Sequence, residues 1–307
     1  MTRSVVLGGA GFLGSHLCDF LIEKGHEVVI VDDLTSGRLK NIEQIINQNH
    51  AQFVLQNICQ PLKVDGSVDF VFNLASPASP PRYTKLQRHT LLTGSIGTKN
   101  GLELAAEKQA KFIQASTSEI YGDPLEHPQK ETYWGNVNPI GPRSCYDESK
   151  RFSEALCLAY ANESKVNVGI ARIFNTYGPR LNPIDGRVIS NMISQALANE
   201  ALTVYGDGNQ TRSFCYVSDL IRGLFSLAES SQLGPFNLGN PQEITINQLA
   251  LTILELTDSR SKIQYVELPV DDPVRRCPDI FQAQQILGWN PEVDLETGLR
   301  IVIKAHF

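Results

Sequence analysis

The six cysteines of this 307-residue chain are scattered, and no Cys-x-x-Cys occurs. Neither a disulfide framework nor a metal site is expected, and a reducing cytoplasm is the simple setting. No apolar run approaches the roughly 18 residues of a membrane span, so no membrane is expected as a partner. The start, Met1 to Val5, runs straight into a strand and leaves no room for a signal peptide. Positive charge is not in surplus: the net charge is −6, which argues against nucleic acid and anionic lipid as partners. Internal repeats and low-complexity linkers are lacking too. What the chain has is apolar residues, 42% of the total, enough for one large α/β domain or a domain with a smaller companion.

Strand patterns fit Ser4–Leu7, Glu27–Val31, Gln52–Leu55, Phe70–Leu74, Lys111–Ala115 and Val168–Arg172. Helical patterns fit Phe12–Glu23, Gly97–Glu107 and Tyr146–Asn162. Alternation of the two predicts an α/β fold with a parallel, doubly wound sheet. After about Pro179, Pro and Gly become frequent and the alternation is lost. We therefore expect a first domain over 1–178 and a smaller, partly interleaved lobe over 179–307.

The turn Gly8-Gly9-Ala10-Gly11-Phe12-Leu13-Gly14 contains G-x-G-x-x-G between a strand and a helix, the context that gives this pattern meaning. Its glycines allow a tight turn and close approach of a pyrophosphate to backbone N–H groups. Asp32 ends the next strand, where a carboxylate can grip two ribose hydroxyls. Asp32 and Asp33 would repel a 2′-phosphate, so NAD is expected over NADP. Arg38 is the one nearby cation that could blur this preference.

Tyr146-Asp147-Glu148-Ser149-Lys150 places a tyrosine and a lysine on one helical face. An ammonium there can favour a phenolate, drawing the tyrosine pKa from about 10 toward neutrality. Such a tyrosine can take a proton from a sugar hydroxyl while a nicotinamide takes a hydride. With nine tyrosines in the chain, the spacing alone is close to chance; position carries the weight. Ser116-Thr117-Ser118-Glu119 follows a strand at the carboxyl edge, where ligands bind in open α/β sheets. Thr117 can hydrogen-bond the reacting hydroxyl, and Glu119 lies at the same mouth. Cys145, beside the tyrosine, reads as a packing residue.

The glycine turn, Asp32 and Tyr146-x-x-x-Lys150 resemble the extended short-chain dehydrogenase/reductases, whose fold is a Rossmann-type sheet with a C-terminal substrate lobe. Longer motifs resemble the UDP-glucuronate decarboxylase (UDP-xylose synthase) family. They are Asn73 to Pro81, Ala115 to Pro124, Trp134 to Arg143, Ala171 to Arg180, Gln210 to Phe214 and Asn237 to Pro241. The resemblance implies a mechanism: oxidation at the sugar C4 with Tyr146 as base, loss of carbon dioxide, then return of the hydride, with NAD regenerated. It gives Tyr146, Lys150, Thr117, Glu119 and Arg212 as catalytic residues, with Arg212 near the acidic sugar and diphosphate. Cofactor contacts are implied for Gly8, Gly11, Phe12, Leu13, Gly14, Asp32, Asp33, Thr35, Ser36, Asn57, Ile58, Leu74, Ala75, Ser76 and Thr93. Substrate contacts are implied for Pro80, Arg82, Tyr83, Asn100, Asn175, Arg180, Val188, Tyr205, Gln210 and Arg276. Arg276 lies in Asp271 to Asp279, similar to the family's closing arginine motif. The resemblance also implies a homodimer, through helices that include Gly97–Glu107 and Tyr146–Asn162.

The chain departs from the family in places. Leu92-Thr93-Gly94 stands where Lys-Thr-Asn is usual, and Ala106-Glu107 replaces Lys-Arg. Gly94 also lowers helix propensity by about 1 kcal/mol relative to alanine. Asn57 replaces an aspartate expected to contact the adenine, though its amide oxygen can still accept a hydrogen bond. Arg82 stands where histidine is common. Rival readings are a nucleotide-sugar 4-epimerase or 4,6-dehydratase, a decarboxylase that releases the 4-ketopentose, and a non-enzymatic NAD sensor. Ser118, where a 4,6-dehydratase carries aspartate, favours decarboxylation.

Overall fold

The structure is a computed structural model that describes residues 1–183, 185–268 and 275–305. Seven strands form one parallel sheet. They are β1 (Arg3–Leu7), β2 (Glu27–Asp32), β3 (Ala51–Leu55), β4 (Phe70–Asn73), β5 (Lys111–Thr117), β6 (Val168–Ile173) and a last strand, Phe236–Leu238. The spatial order is Phe236–Leu238, β6, β5, β4, β1, β2, β3. The connection reverses direction at β1, which pairs with β2 on one side and β4 on the other. That switch point opens a crevice at the carboxyl ends of the strands.

The strands form because their β-branched and aromatic residues can be covered on both faces. Val5 and Leu7 face one core cluster with Val29, Val71, Leu102 and Phe112. Val6 faces the other, with Leu17, Ile30 and Leu224, as a period of two requires. Helix α1 (Phe12–Glu23) follows β1 through the glycine turn. Gly14 is obligatory there, because a Cβ would lie 2.2 Å from the Gly8 carbonyl oxygen.

Short helices α2 (Glu43–Asn47) and α3 (Pro80–Tyr83) precede a longer helical run. It comprises α4 (Gln87–Leu92), a π turn over Thr93–Gly97 and α5 (Thr98–Lys108). The π turn was not expected from sequence, and it accounts for Gly94. A Cβ on Gly94 would sit 2.6 Å from the Ser149 Cβ. The carbonyl of Gly94 accepts a hydrogen bond from Ser153 Oγ at 2.9 Å. Ser149 and Ser153 both belong to α6 (Ser144–Glu163), so the missing side chain lets this helix approach closely.

Beyond β6 the smaller strands form a three-stranded sheet, Glu243–Thr245, Thr211–Ser213 and Arg275–Arg276, and two pairs. Leu202, Val204, Leu249, Ile253 and Leu299 of this region join the same core cluster as Val6 and Leu17. Phe236–Leu238 crosses back to extend the main sheet. Asp271 to Val274 of the arginine motif lie outside the described residues.

Candidate active site

The crevice at the switch point is lined by Gly8, Gly11, Asp32, Asp33, Thr35, Ser36, Asn57, Ile58, Leu74, Ala75, Ser76 and Thr93. All were expected cofactor contacts. Phe12, Leu13 and Gly14 open α1 behind it and are not part of its lining. Val31, Gln56, Pro77 and His89 also line it and were missed. His89 carries no local pattern; its Nε2 lies 3.9 Å from Asp33 Oδ2 only because α4 folds back over the strand ends.

The two aspartates differ in burial and in partners. Asp32 is buried, and its oxygens accept the N–H groups of Ala10 at 3.0 Å and Leu34 at 2.8 Å. Burial pushes its carboxyl up, and those backbone bonds oppose the shift. Asp32 therefore fixes the glycine turn against β2. Asp33, more exposed, receives Asn57 Nδ2 at 2.8 Å and Thr35 N–H at 2.9 Å. The Asn57 amide oxygen is engaged locally by the Cys59 N–H at 2.8 Å. Asn100, expected near the sugar, is buried and donates to the carbonyls of Ile58 and Gln60 at 2.8 and 3.0 Å. It braces the crevice wall from behind.

The residues fit a dinucleotide. Gly11 presents a Cβ-free face at the start of α1, its one near neighbour being the Gly8 carbonyl oxygen. The orphan N–H groups of that helix start suit a pyrophosphate, and the Asp33 carboxylate suits ribose hydroxyls.

Tyr146 and Lys150 stand on α6 beside the end of β5. The Thr117 side chain lies near the Tyr146 hydroxyl and favours its ionised form. Lys150 Nζ donates to the Ala115 carbonyl at 2.7 Å and lies 5.9 Å from the Tyr146 ring centroid. β5 runs two residues further than expected, so Thr117 is held in the sheet while Glu119 lies in the single 3-10 turn that follows, Ser118–Tyr121. The ladder continues into α6: Glu154 holds Arg172 of β6 by two bonds of 3.0 and 2.8 Å and accepts Ser116 Oγ. This fixes the helix that carries Tyr146 against the strand that carries Thr117.

One electrostatic expectation is overturned. Burial pushes the Tyr146 hydroxyl up to about 12; the Thr117 side chain opposes this and the Glu119 charge adds to it. Lys150 is pulled down to about 8, again by burial. Loss of water is the dominant effect on both groups.

Glu119 is a largely shielded carboxylate, 16% exposed, clamped by two arginines, Arg143 and Arg276. Burial raises its pKa, but Arg276 and Arg143 together bring it down to about 2. Arg143 sits at the start of α6, where its carbonyl accepts the Tyr146 and Asp147 N–H groups. It lies in the Trp134 to Arg143 motif, but nothing in its spacing announced this role. Arg276 also donates to the Gly122 carbonyl at 2.7 Å, with Ser118 Oγ at 3.5 Å. Arg212, expected near the acidic sugar and diphosphate, is the neighbour of Arg276, paired in register across two strands. Arg212 donates to the Thr211 carbonyl at 2.8 Å.

Tyr83 joins this group: its ring stacks on Tyr146 at 5.1 Å between centroids and 4° between planes. Other expected substrate contacts lie further along the chain. Arg82 reaches the Thr35 carbonyl at 3.3 Å, and Pro80 is exposed before it. Tyr205 and Gln210 are joined, Gln210 Nε2 donating to the Tyr205 carbonyl at 2.7 Å. Arg180 pairs with Asp19 of α1 at 2.6 Å, and its carbonyl accepts Arg38 Nη2 at 2.7 Å. Arg38 is thereby turned from the aspartates to Arg180. Asn175 gives its carbonyl to Cys215 N–H, and Val188 opens the helix Val188–Leu197.

Known proteins share this arrangement. The profile of the NAD dependent epimerase/dehydratase family matches residues 4–239. The chain is 52% identical to UDP-glucuronic acid decarboxylase 1 of Danio rerio over 302 residues, 98% of this chain and 72% of the relative. UDP-glucose 4-epimerase of Thermotoga maritima, solved with UDP-glucose, superposes with a TM-score of 0.90 at 30% identity, covering 99% of this chain and 98% of that one. UDP-glucuronic acid 4-epimerase of Bacillus cereus, solved with UDP-glucuronic acid and NAD, gives 0.87 at 27% identity, with the same coverage. The chain belongs to the NAD dependent epimerase/dehydratase family and, within it, to the UDP-glucuronic acid decarboxylases.

Proposed function

We propose that this chain converts UDP-glucuronate to UDP-xylose and carbon dioxide, with NAD held in the switch-point crevice. The observation that carries the reading is Glu119, an anion pinned by two arginines beside the Tyr146–Thr117 pair. Kinship with the decarboxylases supports it.

Tyr146 takes the proton of the sugar 4-hydroxyl, with Thr117 aligning that hydroxyl. NAD, when bound, would accept the C4 hydride and later return it. The resulting 4-ketone is β to the C6 carboxylate, so the C5–C6 bond breaks and its electron pair enters an enolate. C5 then gains a proton, and Tyr146 gives its proton back to O4 as C4 is reduced. Glu119 stays ionised throughout and orients the sugar and a water. Arg276 and Arg143 hold it there, and Arg212 lies one strand away for the diphosphate. Ser118 matters by its neutrality: an aspartate 3.5 Å from Arg276 would compete with Glu119 for the guanidinium.

In this reading residues 1–178 hold the cofactor and residues 179–307 the nucleotide, with Phe236–Leu238 crossing back. Exposed Leu91, Leu92 and Ile96 beside exposed Phe152 and Leu158 of α6 support a homodimer through these helices. Six free cysteines support a cytoplasmic setting. Among the described residues no helix is long and apolar enough to cross a membrane.

Mass spectrometry of products from UDP-glucuronate plus NAD tests the reading. UDP-xylose with one carbon dioxide per turnover is expected. Tyr146→Phe should lower turnover by roughly 10²–10⁴-fold while nucleotide binding persists. A product that keeps C6 would mean epimerase chemistry and overturn the proposal.

A further inference from the structure

His127, Glu243 and Cys277 come from three separate segments, yet one donor atom from each lies within 4.8 Å of the others. Among the described residues no other group of three such side chains comes together. His127 Nε2 and Glu243 Oε2 are 2.9 Å apart. The second Glu243 oxygen accepts Thr211 Oγ1 at 2.6 Å, which fixes the carboxylate plane.

The framework beneath is rigid. Gln129, two residues past His127 and fully buried, is bolted to Cys277 by two bonds. Its N–H donates to the Cys277 carbonyl, and its Oε1 accepts the Cys277 N–H, each at 2.9 Å. The Asp279 N–H returns to the Gln129 carbonyl at 2.8 Å. The thiol is buried at the base while the imidazole and carboxylate reach solvent. Around Sγ lie two further oxygens, the carbonyls of Pro241 at 3.3 Å and Pro278 at 3.9 Å. A histidine–glutamate ion pair does not by itself require a thiol sulfur within 4.8 Å of both donor atoms.

We propose that His127, Glu243 and Cys277 form a binding site for a borderline-soft divalent transition metal, Zn²⁺ foremost, with water as fourth ligand. The donor set of imidazole nitrogen, carboxylate oxygen and thiolate sulfur is that of zinc rather than of magnesium or calcium. On binding, the Cys277 S–H proton leaves to solvent and an S–Zn bond forms. Neutral imidazole, carboxylate and thiolate then balance the dication. The metal ties the segment after Gly122 to the strand Arg275–Arg276, next to the arginine that clamps Glu119.

The test uses the full chain after dialysis against chelator, titrated with Zn²⁺ and, as a spectroscopic probe, Co²⁺. One tight equivalent per chain and a near-ultraviolet cobalt–thiolate band are expected. Cys277→Ser should abolish the band and weaken Zn²⁺ by on the order of 100-fold, at or beyond the upper end seen for loss of outer partners. Thr211→Val, which only orients Glu243, should cost about 10-fold. Zn²⁺ should raise the Tm of the parent and leave that of Cys277→Ser unchanged. Absence of the band in the cobalt-treated parent overturns the proposal, as does equal Zn²⁺ affinity for parent and Cys277→Ser. The parent's band decides by itself should a variant fail to fold.

Discussion

Arg276 and Glu119 form a largely shielded ion pair between the last third of the chain and the end of the fifth sheet strand. Arg143 takes the other Glu119 oxygen. Removing one partner of such a pair leaves an under-compensated charge in a dry place, which costs more than the pair contributes.

Arg143→Met should therefore lower stability at pH 7 by roughly 3 kcal/mol. The acid limb should move as well. Glu119 titrates at about 2 in the folded state, below the usual value of about 4.3. Its contribution is complete above the unfolded value and is lost as pH falls through the folded one. With Arg143 gone the folded value rises, so acid unfolding begins at higher pH. Urea denaturation across pH 2 to 7 measures both effects, and superimposable curves for parent and variant would contradict them.

Asp147, directly after the reactive tyrosine, gives the opposite pH signature. It is buried, and its Oδ1 has no hydrogen-bond partner among the described residues. Burial, with the charge of Glu119 in support, pushes it up to about 7 against the pull of Arg143 and Arg276. The folded chain thus keeps a proton that the unfolded chain loses near pH 4. Stability from this group is full below about pH 4 and declines as pH rises to about 7. Asp147→Asn should be more stable than the parent at pH 8 and show a flatter profile between pH 5 and 7. Parallel stability profiles for the two chains would exclude this.

Local features of the fold were legible in the sequence, and contacts between distant segments were not. Helix α1 has the expected bounds, Phe12–Glu23, because glycine turn and apolar period speak within one short window. Tyr146 and Lys150 share a helical face for the same reason. The clamp of Arg143 and Arg276 on Glu119 was not foreseen, because it joins segments far apart in sequence. Cys277 was scattered by sequence spacing and is gathered to His127 by that same docking. That Asp32 also accepts the Ala10 and Leu34 N–H groups was not foreseen, because such backbone bonds leave no mark in composition.

The Leu92-Thr93-Gly94 departure makes a coupled prediction. Gly94→Ala drives a Cβ to 2.6 Å from the Ser149 Cβ, an overpacking that costs roughly 1–3 kcal/mol. Ser149→Gly costs about 1 kcal/mol through helix propensity, but it vacates the contested space. The double variant should be more stable than the sum of the single losses by at least 0.5 kcal/mol. Denaturant midpoints of the four chains measure the coupling, and strict additivity would show that the two positions do not touch.

The clamp on Glu119 has a consequence for the order of synthesis. Every residue lining the crevice precedes Gly94, whereas Arg276 is synthesised long after all of them. The dinucleotide cradle is thus written early and the guanidinium that completes the acid late. A chain cut short before its final strand carries the full crevice sequence without that part of the chemistry. A chain that stops before Arg276 then lacks one of the two guanidiniums that hold Glu119.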